Sequence, residues 1–95
     1  MNWKIEKLQS GKTIISKEPG NSMLPLIKSK QPVKIAPCKL EDLNVGDIAY
    51  CKVKGNIYTH LVTAKNEKRG VQISNNHGYV NGWTKTVFGK VIEIL

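Results

Sequence analysis

Short stretches of β-prone residues recur along the chain, and turn-forming residues separate them. In residues 32–36 apolar and polar residues alternate, as in a half-buried strand whose successive side chains point to opposite faces of a sheet. A helical spacing of apolar residues is nearly absent. We therefore expect a mainly β protein with a compact, coiled or barrel-like antiparallel sheet. The predicted strands cover residues 13–16, 32–36, 48–53, 57–64, 71–74 and 86–95.

The connections between these strands are rich in residues that favour turns. Residues 17–21 include a Pro-Gly pair and predict a loop, and residues 23–27 follow as an apolar segment that an internal proline keeps out of a central strand. That segment has room for one helical turn. A short Gly-Asn loop at 55–56 predicts a hairpin. Residues 75–82 are rich in Asn and Gly, which tolerate positive φ, and His77 within them is interpreted as a solvated loop histidine.

The length of 95 residues predicts a single domain, residues 1–95. No stretch approaches the ~18–20 apolar residues that a membrane-spanning helix needs, and the N-terminal region lacks the pattern of a signal peptide. Cys38 and Cys51 are too few for a disulfide framework, and their spacing matches no zinc pattern. We therefore expect reduced thiols and a cytoplasmic protein.

The charge balance is strongly basic, with 15 Lys and Arg residues, seven Asp and Glu residues and a formal net charge of +8. Arg69 is the only arginine, and the lysines are scattered along the chain. Lysine reads base edges less well than arginine does. The charge is interpreted either as a solvated cationic surface or as weak nonspecific affinity for nucleic acid or another anion. The second interpretation would make the chain a small β domain that binds nucleic acid.

Candidate chemistry begins with a serine on a turn and a histidine in a strand. Residues 20–25 read Gly-Asn-Ser-Met-Leu-Pro, so the Ser22 hydroxyl follows a flexible glycine and precedes a proline-stiffened apolar segment. A nucleophilic serine needs such exposure on an irregular turn, with its own backbone N–H free to face an oxyanion. His60 lies in the predicted strand 57–64, where its ring is well fixed, and the ordinary histidine pKa of about 6.5 suits proton transfer. Taken one at a time, both residues are more often structural.

Five short motifs occur in an order that resembles a known family. Gly-Asn-Ser-Met-Leu-Pro at 20–25 is followed by Val-Gly-Asp-Ile at 45–48, His-Leu-Val at 60–62, Asn-Asn at 75–76 and Phe-Gly-Lys-Val at 88–91. Together they resemble the serine peptidase clan of type I signal peptidases and LexA-like self-cleaving repressors. The most specific part is Gly-x-Ser-Met-x-Pro, and the resemblance covers most of the chain.

The resemblance implies a compact, mostly β catalytic domain that cleaves a bond in a peptide or protein substrate without a metal or cofactor. Ser22 matches the nucleophile, and its backbone N–H matches an oxyanion donor. His60 matches the general base of the His-type members, whereas bacterial-type members use a lysine. Lys65 lies at an odd spacing from His60, which points it to the opposite face of a strand, so we do not expect it to replace the histidine.

Two departures from the family bear on activity. His-type members carry further Asp residues after the Asn-Asn motif, whereas Glu93 is the one carboxylate that follows this motif here. Asn75, Asn76 and Asn81 are the candidates to orient the His60 ring in place of an acid. We also expect neither the family's membrane anchor nor the cleavable Ala-Gly arm of the self-cleaving repressors. The alternative function is a catalytically decayed member of the fold that binds a peptide or protein.

Overall fold

A computed structural model describes residues 2–95, which form one short α-helix, one 3₁₀ turn and seven β-strands. Helix α1 spans Trp3–Gln9, and the 3₁₀ turn spans Leu40–Asp42. Within residues 2–95, no helix is both long and apolar enough to cross a membrane. The strands are β1 (Ile14–Lys17), β2 (Pro32–Pro37), β3 (Ile48–Val53), β4 (Asn56–Asn66), β5 (Gly70–Ser74), β6 (Val80–Thr84) and β7 (Val87–Ile94).

The strands form one antiparallel sheet in the order β1-β2-β7-β3-β4-β5-β6. The longest strand, β4, lies between β3 and β5, while β1 and β6 form the two edges. The sheet curls so that β6 approaches β3. The prediction of a mainly β, antiparallel and compact fold is confirmed, in the form of a sheet that stays open and is not a closed barrel.

Two hydrophobic clusters are buried by the curled sheet. The first contains Leu8 from α1, Met23 and Ile27 from the segment between β1 and β2, and sheet residues such as Ile35. The second is formed mainly by β3, β4 and β5, and it includes Val62. Burial of these apolar side chains is the dominant favourable contribution to folding. Because Met23 is one of them, the first cluster anchors the segment that carries Ser22.

The six predicted strands correspond to β1–β5 and β7, with ends that differ by no more than two residues. The segment 23–27 has room for one helical turn but does not form one: the Ile27 N–H donates to the Met23 carbonyl at 3.0 Å, yet the Leu24–Pro25 peptide between them is cis and the segment is an irregular turn. The hairpin between β3 and β4 is also present, but its turn is Lys54-Gly55, with φ values of 50° and 85°, and not Gly-Asn. Two positive φ values are typical of a type I′ turn.

Two elements were not predicted. Helix α1 has seven residues, of which Leu8 alone is buried, so it carries no helical repeat of apolar residues. The Asn2 side chain accepts hydrogen bonds from the N–H groups of Lys4 and Ile5, and this N-cap defines where the helix begins. Strand β6 lies where a loop extending to residue 82 was predicted. Tertiary pairing with β5 overrides the turn-favouring composition of this stretch.

Candidate active site

The Ser22 hydroxyl lies in the turn-rich segment between β1 and β2. The Leu24 N–H donates to the Asn21 carbonyl at 3.2 Å, and the Gly20 N–H donates to the Ser29 hydroxyl at 3.0 Å. The Met23 side chain is buried in the first hydrophobic cluster. Hydrogen bonds and apolar burial together hold the half-buried Ser22 in a defined turn.

His60 faces the Ser22 hydroxyl from the middle of the sheet. It lies in β4, which is paired with β3 on one side and with β5 on the other, so the histidine is carried by a rigid element. The distance from Ser22 Oγ to His60 Nε2 is 3.0 Å. This is a hydrogen-bond distance. The structure therefore brings together the two residues that the sequence singled out, across a separation of 38 positions.

The other ring nitrogen of His60 contacts Asn81. The distance from His60 Nδ1 to Asn81 Oδ1 is 2.7 Å. An amide oxygen is only an acceptor, so Nδ1 carries the proton of the neutral ring and Nε2 presents a lone pair. The lone pair on Nε2 can accept the hydrogen bond of the Ser22 hydroxyl. Asn81 thus fixes the tautomer in which His60 is able to act as a base.

A β-bulge in β6 accounts for the position of Asn81. Strand β5 pairs Ile73 with Gly82 and Ser74 with Val80, so Asn81 is the additional residue between the two pairs. Bulges bend a strand and redirect side chains, and they are frequent near active sites. The bulged residue is the one whose side chain reaches the histidine ring.

The surroundings of His60 favour its neutral form. The residue is only 8% exposed, and its ring stacks on Tyr58 with the centroids 4.9 Å apart and the planes inclined by 30°. Burial lowers the pKa of His60, and the hydrogen bond with Asn81 opposes this shift in part. An imidazole with a lowered pKa is unprotonated at neutral pH, which is the state that a general base requires.

A cleft of about 530 Å³ opens beside the serine and the histidine. It is lined by Ser22 and His60 together with apolar residues such as Met23 and with polar residues such as Lys4 and Gln31. Ligand sites typically have volumes of about 300–1,000 Å³ and mostly apolar walls, with a few polar groups placed at definite points. The cleft therefore has room for several side chains of a peptide.

The start of α1 closes one side of this cleft through polar contacts that the sequence did not indicate. Lys4 Nζ lies 3.3 Å from Glu18 Oε1, and the Ser16 hydroxyl donates to the same oxygen at 3.0 Å. The Asn2 side chain amide donates to the Tyr50 hydroxyl at 3.0 Å. These contacts tie α1 to the end of β1 and to β3.

The other two asparagines proposed to orient His60 lie elsewhere. The Asn75 side chain accepts hydrogen bonds from two backbone N–H groups of its own turn, at 2.8 and 3.0 Å. The Asn76 side chain amide donates to the Leu24 carbonyl at 2.9 Å. Both side chains are thus engaged in holding loops, and of the three candidates only Asn81 contacts the histidine.

Two further residues from the sequence analysis have defined contacts. Lys65 donates to the Leu43 carbonyl at 2.6 Å and to the Glu41 carbonyl at 3.1 Å, which leaves it turned away from the serine. His77 was predicted to be a solvated loop histidine, and its side chain is exposed, but it also contacts the protein. Its Nε2 lies 2.9 Å from the carbonyl oxygen of Asn21, directly before the serine.

Within the part of the chain that the structure describes, no group of three or more His, Cys, Asp and Glu side chains is placed to hold a metal ion. Comparisons of the sequence with known protein families and with curated proteins found no match. The interpretation of the site therefore depends on its own geometry and on the order of motifs in the sequence.

Proposed function

We propose that the chain is a serine endopeptidase in which Ser22, His60 and Asn81 act as nucleophile, base and orienting residue. One observation carries this proposal: two consecutive hydrogen bonds, of 3.0 Å from serine to histidine and 2.7 Å from histidine to asparagine, beside an open cleft. A nucleophile within reach of a base that a third group orients is the arrangement of acyl-transfer enzymes. Papain-like peptidases use an asparagine as the third group.

The chemical steps follow from these positions. His60 Nε2 takes the proton of the Ser22 hydroxyl while Oγ forms a bond to the carbonyl carbon of the substrate, and the carbonyl oxygen becomes an oxyanion. His60 then donates this proton to the amide nitrogen of the substrate, the C–N bond breaks and an acyl-enzyme remains. Water attacks the ester and gives a proton to His60, which returns it to Oγ as the acid product leaves.

The use of asparagine in place of aspartate has a definite electrostatic consequence. Asn81 holds the ring of His60 in the required tautomer but carries no charge to stabilise the imidazolium that forms in the transition state. The proposed enzyme is therefore slower than a Ser-His-Asp enzyme with otherwise equal geometry. Burial keeps His60 neutral near pH 7, as a base requires, but it also disfavours the imidazolium and so adds to this cost.

The proposal extends to the family, the substrate class and the compartment. The order of motifs around Ser22 and His60 supports a minimal, His-type member of the clan of signal peptidases and LexA-like repressors. A peptide or protein is the substrate that suits an open cleft lined by both apolar and polar residues. A cytoplasmic location is proposed because both Cys38 and Cys51 are free thiols.

The proposal predicts that cleavage depends on Ser22. Purified protein is incubated with a proteome-derived peptide library, and the new termini are identified by mass spectrometry. We expect a reproducible set of cleavage sites for the wild-type chain. Ser22→Ala and His60→Ala should lower the rate at these sites by about 10⁴-fold or more, because each removes a member of a unit that acts together.

Ser10→Ala is the matched control, since Ser10 is an exposed serine at the end of α1 outside the cleft. It should cleave like the wild-type chain. Cleavage that persists unchanged in Ser22→Ala would contradict the proposal. A folded wild-type chain that binds peptides from the library but cleaves none would support the decayed, peptide-binding alternative instead.

A further inference from the structure

The segment 75–78 holds the backbone of the nucleophile turn by three hydrogen bonds. The His77 ring contacts the Asn21 carbonyl at 2.9 Å, and the Asn76 N–H donates to the Ser22 carbonyl at 2.8 Å. The Asn76 side chain donates to the Leu24 carbonyl at 2.9 Å. Three carbonyl groups, those of residues 21, 22 and 24, are thus bound from the same side of the fold.

The contact of His77 acts on a particular peptide group. The carbonyl of Asn21 and the N–H of Ser22 belong to one peptide unit, which is trans. A trans peptide directs its N–H opposite to its carbonyl oxygen. The Leu24 N–H also donates to this carbonyl, at 3.2 Å, so His77 adds a second and shorter contact, and the Ser22 N–H on the opposite side of the peptide points away from the segment 75–78. Within residues 2–95, no acceptor is hydrogen-bonded to this N–H.

We infer that His77 is a positioning residue, which orients and polarises the Ser22 N–H as an oxyanion donor. This inference rests on the proposed peptidase function. A carbonyl oxygen only accepts, so His77 Nε2 carries the proton in this contact and donates it to Asn21. Hydrogen bonds that follow one another through a peptide group strengthen each other, and the Ser22 N–H becomes a better donor.

The inferred effect belongs to the transition state and not to substrate binding. The negative charge on the substrate oxygen develops only as Ser22 attacks, so a better-placed donor raises kcat and changes KM little. Loss of an entire oxyanion donor costs about 10²–10³ in kcat. Loss of His77 leaves the Ser22 N–H in place but less well held, and the expected decrease is smaller.

The test compares His77→Ala with His77→Gln, whose side chain amide keeps an N–H donor. We expect His77→Ala to lower kcat by about 3- to 10-fold, the range that corresponds to one net hydrogen bond. KM should change by less than about twofold, and His77→Gln should recover much of the loss. Tyr79→Ala is the matched control, because its exposed side chain lies in the same loop and makes no hydrogen bond to the turn.

A spectroscopic measurement accompanies the kinetics. The ¹³C resonance of the Asn21 carbonyl reports the hydrogen bond that it accepts, and it should shift in His77→Ala and return towards its original position in His77→Gln. Three results would overturn the inference while the wild-type chain remains a peptidase. They are unchanged kinetics in His77→Ala, a change in KM without a fall in kcat, and no recovery of kcat in His77→Gln. A wild-type chain that is folded but inactive would remove the proposed function and the inference with it.

Discussion

At the scale of single residues, the site depends on which neighbour each ring nitrogen of His60 contacts. Asn81 takes Nδ1, and this leaves Nε2 facing Ser22 Oγ at 3.0 Å. The sequence could predict the serine and the histidine because each stands in a recognisable short motif. It could not choose among Asn75, Asn76 and Asn81, because the choice depends on a bulge in the pairing of β5 with β6. A bulge leaves no composition signal in a stretch rich in Asn and Gly.

The lowered pKa of His60 leads to a prediction about pH. Activity requires the neutral ring, so kcat/KM should rise with pH through an apparent pKa below the ordinary value of 6.5. Asn81→Asp places a carboxylate beside Nδ1, which favours the imidazolium and should raise this apparent pKa by about one unit or more. The measurement is the pH profile of kcat/KM for both proteins, on a peptide that the wild-type chain cleaves.

Asn81→Ala provides the control for the same experiment. It removes the orienting contact without adding a charge, and kcat should fall by at least about tenfold while the apparent pKa does not rise. An Asn81→Asp profile that coincides with that of the wild-type chain would show that Asn81 does not govern the proton on His60.

At the scale of elements, the strands were predictable and the edges of the site were not. β2 follows from alternating apolar residues, and β1, β3–β5 and β7 follow from β-prone residues between turns, signals that each strand carries by itself. Helix α1 and β6 carry no such signal. α1 depends on the local Asn2 cap and on burial of Leu8 in the first hydrophobic cluster, and β6 depends on pairing with β5. These two elements supply one wall of the cleft and the orienting asparagine.

A glycine at the start of β5 should control the position of β6. Gly70 has a φ of 90°, and a methyl group on it would overlap the carbonyl oxygen of Thr84 in β6. Gly11 has nearly the same φ, 88°, and no atom near the place of such a methyl group. Gly70→Ala should therefore lower the free energy of unfolding by about 1–3 kcal/mol more than Gly11→Ala, as expected for overpacking.

Urea denaturation of the two variants measures this difference, because the strain of a positive φ is common to both. Gly70→Ala should also lower kcat, since Thr84 lies three residues after Asn81 and a shift of β6 moves the orienting side chain. Equal losses of stability in the two variants would contradict the close approach of β5 and β6.

At the scale of the whole molecule, an open curled sheet brings three distant segments together at the candidate site. The nucleophile lies between β1 and β2, the base in β4 and the orienting residue in β6. The charged side chains form few pairs with one another. The described residues form two ion pairs, Lys4 with Glu18 and Lys34 with Glu93, so most of the positive charge stays unpaired at the surface. Weak attraction of anions, including nucleic acid, therefore remains a prediction of the net charge.

The central claim is that His60 activates Ser22 as a nucleophile, and covalent labelling by diisopropyl fluorophosphate tests it most directly. In this reaction Oγ forms a bond to phosphorus, fluoride leaves and the hydroxyl proton passes to the histidine. The intact mass and a peptide map locate the adduct. We predict one phosphoryl group on Ser22 of the wild-type chain, no adduct in Ser22→Ala, and strongly slowed labelling in His60→Ala. A folded wild-type chain that stays unlabelled, or that labels equally fast without His60, would contradict the claim.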